Sequence, residues 1–443
     1  MGGKRNAVTA GRLLICLFLA LLLLFDTQAV FAKQYDPADL GTYSYSEKQL
    51  EKKQPAYESK PLSFQYSHQP LDPLSAIPKP RYTRTKTGMY KSLAKGDGTA
   101  TIMLTGDLMC QSRQQRAALE QYGEYRFDDS FYYVRRVFKN ADLVVGNLET
   151  TLSESASYMS EEGRVDGRPN CNAPSTYLDA LRYAGFDLLV TANNHICDGG
   201  LRGILQTDAH LNQYGFMHTG TFTVKNEKRY VLAKVDGIKV GFLSYTRYYN
   251  NRHLNFTPDG RKTLLNKYSA KKVKRDVKAL KAAGAEYIIA YIHWGTEYKT
   301  TPDKAQKETA REMADAGVDC IIGSHPHVIQ PCTTIRASDG RKVQVFYSLG
   351  NFVSHMDRYD TTKDSLIVRL RLKRNSKGKV YLAGKKYIPC RCVTKYNGRN
   401  YAVVPVTKKR TETVKCREEL IRSSKRIKKI LGKDIDTLSI YKL

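Results

Sequence analysis

This sequence has little acid for the base it carries. Its 443 residues carry 72 Lys or Arg against 43 Asp or Glu, a formal charge of +29. Between Ser365 and Thr411 there is no Asp or Glu at all, against fourteen Lys or Arg. That balance favours polyanionic partners: teichoic acid, an anionic membrane surface, an acidic capsule polymer or nucleic acid. The bland alternative is that the charge confers solubility. Internal repeats are also missing, which argues against a solenoid or propeller. Cys390-Arg391-Cys392 has no second cysteine pair at zinc-ribbon spacing, so a structural zinc of that kind is not expected. The uninterrupted apolar run from Leu13 to Phe25 is short for a membrane span.

That run has a different reading. Lys4, Arg5 and Arg12 precede it, and Val30-Phe31-Ala32 offers a small-residue cleavage site before Lys33. Residues 1–32 therefore read as a bacterial signal peptide or an uncleaved anchor, with the mature chain outside the cytoplasmic membrane in either case. Cys16, preceded by the bulky Ile15, does not fit a lipoprotein anchor. Export makes nucleic acid the polyanion to discard, and it permits disulfides among the remaining cysteines. Cys110, Cys197 and Cys320 nevertheless sit in or beside apolar runs and suit a small buried side chain. Residues 33–98 hold seven of the fifteen prolines and read as a stalk or disordered spacer.

Order is expected from Thr99. Short β-branched runs at Thr101–Leu104, Leu143–Val145, Leu188–Val190, Tyr287–Ile292, Cys320–Ile322 and Val343–Tyr347 read as buried strands. Helical spacing separates them at Ser175–Ala184, Gly200–Tyr214, Lys271–Ala283 and Ala305–Ala316. Strands alternating with helices predict an α/β domain over 99–372. Residues 373–443 read as a basic extension: a hairpin completed after a turn at Asn375–Gly378, then a terminal helix over Cys416–Leu431. In the hairpin's first strand Val368, Leu370 and Leu372 alternate with Arg369, Arg371 and Lys373. The three cations are candidates for polyanion binding, or simply a solvated edge that resists aggregation.

A short polar motif follows each strand. In order they are Gly106-Asp107-Leu108-Met109, Gly146-Asn147-Leu148-Glu149, Ala192-Asn193-Asn194-His195, His293-Trp294-Gly295, Ser324-His325-Pro326-His327 and Leu349-Gly350-Asn351-Phe352. The carboxyl ends of such strands are where open α/β sheets place their sites. Asp107, Glu149, Asn194, His293, His325 and His327 make a mixed N/O set with a carboxylate to bridge, suited to two divalent ions of Mn, Zn or Fe type. Two ions about 3.5–4 Å apart generate a nucleophilic water and neutralise phosphoryl charge. Asn351 is expected to bond neighbouring backbone.

These motifs, with His293–Glu297, His325–Pro331 and Tyr347–Phe352, resemble the CapA family of bacterial capsule and poly-γ-glutamate synthesis proteins. Asn172-Ala173-Pro174 and Ala184-Gly185-Phe186-Asp187 look like the same family. The resemblance spans roughly residues 99–372. It implies the fold of calcineurin-like metallophosphoesterases, a two-sheet β-sandwich flanked by helices. It implies Asp107 and His327 on a first metal, Glu149 bridging, and Asn194, His293 and His325 on a second. His195 would be the acid for the leaving oxygen, or would polarise the phosphoryl group, with Asp198 orienting it. It also implies an anionic envelope polymer such as poly-γ-glutamate as the partner, and membrane synthase subunits nearby. One departure stands out: the superfamily's Asp-x-His places a histidine where this chain has Met109, a weak, soft donor. The first metal site is therefore the one in question.

Overall fold

The computed structural model describes residues 78–93, 98–154, 170–406 and 414–432. The expected signal or anchor and most of the expected stalk lie outside them. No helix among the described residues is long and apolar enough to cross a membrane.

Two sheets form the body. The first runs β1 (Tyr82–Arg84), β2 (Tyr90–Ser92), β9 (Val231–Val235), β10 (Ile238–Thr246), β11 (Tyr287–His293), β12 (Cys320–Ser324), β14 (Lys342–Phe346) and β13 (Cys332–Arg336). The second runs β18 (Arg399–Pro405), β17 (Val380–Tyr396), β16 (Asp364–Arg374), β3 (Ala100–Leu108), β4 (Leu143–Leu148), β7 (Leu188–Val190) and β8 (Met217–Thr219), with β15 (Asn351–Val353) also on β3. A separate pair joins β5 (Thr151–Leu152) to β6 (Asn172–Ala173). At the heart of each sheet the strands are parallel: β3, β4, β7 and β8 in one, β10, β11, β12 and β14 in the other. Both faces of such strands are buried, which is why they read as continuous apolar runs.

The layers follow from which side chains point where. Ile102, Leu104, Val145 and Val190 face Val240, Phe242, Ile289, Tyr291 and Ile322 across the space between the sheets. The outer face of the second sheet is covered by α1 (Ser112–Tyr122), α2 (Tyr132–Phe138) and α3 (Tyr177–Ala184), through Ala118, Val134, Phe138, Tyr177 and Leu181. The first sheet is covered by α6 (Ala270–Ala282) and α7 (Lys304–Ala316), through Val273, Val277, Leu280, Ala310 and Met313. The apolar stripe expected of α6 is the face it buries. Ser269 caps α6, and Asp303 with Gln306 closes a capping box on α7, fixing where each begins. Two further helices, α4 (Gly200–Gln213) and α5 (Pro258–Leu264), follow β7 and β10. The result is the helix–sheet–sheet–helix sandwich that the resemblance implied.

Two boundaries move. Order does not begin at Thr99: β1 and β2 form a hairpin whose second strand pairs in parallel with β9. It is pinned by contacts far off in sequence, Arg81 Nε to Asp187 at 2.9 Å and the Tyr82 hydroxyl to the Asp142 carbonyl at 2.7 Å. Nor is the basic segment an appendage beyond residue 372. β16 pairs with β3 on one side and with β17 on the other, so the expected boundary cuts a central strand. The turn does fall at Asn375–Gly378, closed by the Gly378 amide on the Asn375 carbonyl at 2.9 Å. The last helix, α8 (Val414–Leu431), docks as an ordinary terminal helix, with Leu420 and Ile427 buried.

Candidate metal centre

All six predicted ligands meet at the strand ends. Asp107 comes from β3 and Glu149 follows β4. Asn194 follows β7, His293 ends β11, and His325 and His327 follow β12. Each sheet thus supplies half of them. Asp107 points inward because of an irregularity the sequence does not announce. Leu104 pairs with Val145 and Asp107 with Asn147, so three steps of β3 match two of β4. The extra residue reverses the alternation of faces, turning Asp107 to the side of Leu104. Gly106 sits in that kink, where a Cβ would lie 1.9 Å from the Gly350 carbonyl oxygen. No other residue type fits there.

Glu149 is the shared point. It is fully buried, and neither carboxylate oxygen accepts a hydrogen bond. Its Oε1 lies 3.5 Å from His293 Nε2 and 4.0 Å from His327 Nε2. On one side, His293 Nε2 stands 2.9 Å from Asn194 Oδ1 and 3.1 Å from His325 Nδ1. On the other, donor atoms of Asp107, Glu149 and His327 all lie within 4.8 Å of one another. Atoms bound at about 2.0–2.2 Å to one ion stand about 3 Å apart, and these separations match. A buried carboxylate with no donor of its own destabilises the metal-free protein. The residues therefore fit a divalent pair bridged by Glu149.

A second layer of side chains aims the ligands. His293 Nδ1 meets Ser324 Oγ at 2.9 Å, and Asn147 donates to Asp107 Oδ1 at 2.8 Å. The Asn351 Oδ1 lies 2.8 Å from His327 Nδ1. An amide oxygen only accepts, so His327 carries its proton on Nδ1 and presents a lone pair from Nε2. The Asn351 amide donates to the Thr362 carbonyl, eleven residues on, at 3.3 Å, and its oxygen serves this ligand. The expectation of a purely local role is corrected. His325 and His327 both take positive φ, 93° and 58°, a conformation uncommon outside glycine and typical of strained functional turns.

Beside the ligands, His195 Nδ1 lies 2.7 Å from Asp198 Oδ2. Asp198 accepts from the Cys171 amide at 2.7 Å and pairs with the buried Arg252. Arg252 was not foreseen; a lone arginine in a polar loop carries no spacing signal. The mouth of the centre is aromatic and cationic. Tyr248 lies over His325 with ring centroids 4.7 Å apart, and Tyr298 approaches His327 at 6.3 Å. Arg358 sits over both Tyr298 and Tyr359, at 5.7 and 5.2 Å.

Arg369, Arg371 and Lys373 are not part of this arrangement. β16 runs antiparallel to β3, placing Arg369 opposite Met103 and Arg371 opposite Thr101. These positions lie four and six residues before Asp107, about 13 and about 20 Å back along a strand rising about 3.3 Å per residue. They alternate with buried Val368, Leu370 and Leu372, as expected of a hairpin with one apolar and one cationic face.

Residues 101–356, more than half of the chain, match the model of the family described as Bacterial capsule synthesis protein PGA_cap. The chain belongs to that family. This PGA_cap chain is 30% identical over 287 residues to the capsule biosynthesis protein CapA of Bacillus anthracis, covering 62% of this chain and 64% of the relative. It is 27% identical over 291 residues to the PGA biosynthesis protein CapA of Bacillus subtilis, covering 64% and 70%. The chain thus spans less than two thirds of the length of the first relative. Among solved structures it is similar to the calcineurin-like phosphoesterase YfkN of B. subtilis, with TM-score 0.41, 15% identity, and coverage of 75% of this chain and 97% of that one. The two-sheet architecture of the PGA_cap chain stands on its own strand pairing.

The protonation of the centre gives one direct expectation. Burial, then the charge of Asp107, pushes the Glu149 carboxyl well above its usual range. For His327, burial opposes the charged ring, but the hydrogen bond and charge of Asp107 outweigh it and the net shift is upward. Burial first and neighbouring imidazoles second push His293 and His325 down. Glu149 and His327 are thus the ligands shifted toward holding a proton that a metal would displace, and His293 and His325 are shifted the other way. Metal uptake should release protons, and affinity should rise as the pH rises. Calorimetry in buffers of different ionisation enthalpy measures the release; a value of zero contradicts this assignment.

Proposed function

We propose that this chain is an exported, metal-dependent hydrolase acting in the biosynthesis or export of a capsule or poly-γ-glutamate type of envelope polymer. The observation that carries the reading is the pairing of two features. Glu149 stands unsatisfied among Asp, Asn and three His ligands. A histidine held by a carboxylate lies beside them. Bound divalent ions would supply an activated water and charge neutralisation at the scissile group.

The chain's own residues would do the rest. The Asp198 carboxylate fixes the His195 tautomer with the proton on Nδ1, and Arg252 with the Cys171 amide fixes Asp198. Nε2 is then the free atom of the ring: once it has taken up a proton, the ring can pass that proton to the leaving oxygen and return to the Nδ1-H form. Arg358, which forms no ion pair among the described residues and lies on two tyrosine rings, offers its guanidinium edge to an anionic substrate. Such a rim suits an acidic polymer or a phosphorylated envelope component. Membrane synthase subunits, and an anchor in residues 13–32, belong to the same proposal.

His195→Ala separates catalysis from assembly. The variant should keep its metal and lose about 10²–10⁴-fold in hydrolysis of a generic aryl phosphodiester under Mn, Zn or Mg. Unchanged turnover would remove His195 from the mechanism. If wild type binds metal yet hydrolyses neither a phosphodiester nor poly-γ-glutamate, a non-catalytic accessory role takes over. Salt-sensitive polymer binding through the basic β16–β17 hairpin, surviving both His195→Ala and His325→Ala, would then be the working property.

A further inference from the structure

Glu297 closes the motif His293-Trp294-Gly295-Thr296-Glu297. It is exposed, yet a carboxylate oxygen of Glu297 and ring nitrogens of His325 and His327 lie within 4.8 Å of one another. His327 therefore belongs to two donor groups at once, one with Asp107 and Glu149 and one with His325 and Glu297.

The backbone holds Glu297 in that place. Gly295 turns the chain at φ 85°, where a Cβ would press on the Gln306 side chain at 2.7 Å. Tyr298 takes φ 65°, unusual for a bulky residue, and its amide donates to the Pro326 carbonyl at 2.8 Å. The segment after β11 is thus tied to the middle of the His325-Pro326-His327 turn. The carboxylate is turned inward, too, since one of its oxygens lies within 4.8 Å of ring nitrogens of His325 and His327.

The first metal site needs such a group. Asp107, Glu149 and His327 give three donors, and ions of this class take four to six. Met109, two residues past Asp107 and buried, offers only a thioether. A carboxylate is the harder and stronger donor for Mn, Fe or Zn. We infer that Glu297 is a ligand of the first metal, supplying from the loop after β11 what the side chain at position 109 does not. The inference rests on the two-metal reading of the centre and assigns that reading one further residue.

The test is metal stoichiometry and affinity, measured on the full chain after chelation and reloading with Mn. Wild type should hold about two equivalents and Glu297→Gln about one, with the more weakly held ion lost. Adding Met109→His to Glu297→Gln should restore the second equivalent, because the imidazole then enters from β3. Circular dichroism shows whether each variant is folded, and the exposed position of Glu297 makes folding of the single variant expected. Wild type with two ions and Glu297→Gln with two of unchanged affinity overturns this inference alone. Wild type that takes up no metal overturns the inference and the hydrolase proposal together.

Discussion

A Glu149→Gln protein is expected to lose its metal and its turnover while its metal-free form melts higher than metal-free wild type. The two effects have one cause. Glu149 is fully buried with both oxygens unpaired, and Asp107 and Asp198 add their negative charge to that burial. In the absence of metal this is a liability of about 1–3 kcal/mol, the cost of an unsatisfied buried polar group. An amide of the same shape carries no charge and can donate to Asp107. In the presence of metal the order would reverse, since the Glu149 carboxylate lies between the His293 side and the His327 side of the site. Metal content and melting curves, each with and without chelator, check this together. A variant that still binds two ions would show that Glu149 does not bridge. A variant whose metal-free form melts lower would show that Glu149 has partners in solution.

Arg391→Met should destabilise the whole sandwich by about 3 kcal/mol, the lower part of the range for breaking a buried ion pair. Arg391 is among the largest fully buried side chains. Its Nη1 lies 3.0 Å from Asp364 Oδ1 and 3.1 Å from Ser423 Oγ, and it also pairs with Asp360. Asp364 opens β16, Arg391 is on β17 and Ser423 on α8, so three elements converge on one guanidinium. The lower figure applies because Asp364 keeps Arg426 Nε at 2.8 Å, and because Asp360 is half exposed. Urea unfolding measures the change. A single transition shifted to lower urea is expected; loss of α8 alone, with the rest of the transition unmoved, would show that the terminal helix is a separate unit after all.

The sequence made the parallel strands and their terminal motifs legible for a physical reason. A strand buried on both faces is a short apolar run, and a polar cluster directly after it stands out. Asp107, Glu149, Asn194, His293, His325 and His327 were all recoverable in that way. What was not legible depends on contacts between distant segments. β1 and β2 lie in a proline-rich stretch and are held by Asp187, Asp142 and β9, none of which leaves a local trace. The kink at Gly106 is set by Gly350, and Asn351 acquires its role only because β15 lies against β3. The basic strand β16 was recognised by its alternation. Which sheet neighbours it has was not legible, because an alternating pattern shows which face a residue occupies and not which strands lie beside it.

The division of ligands between the sheets sets an order of events. Asp107, Glu149 and Asn194 arrive from one sheet, and His293, His325 and His327 from the other. The first and last of them are separated by most of the described chain. A nascent polypeptide has no such site to offer until both sheets have formed and closed on each other. An ion bound here would therefore be chosen by a finished protein, from whatever its surroundings contain, and not by a chain still folding around it. Among first-row metals, whose affinities for one set of ligands follow a fixed ranking, the compartment in which folding ends would decide which ion this centre carries.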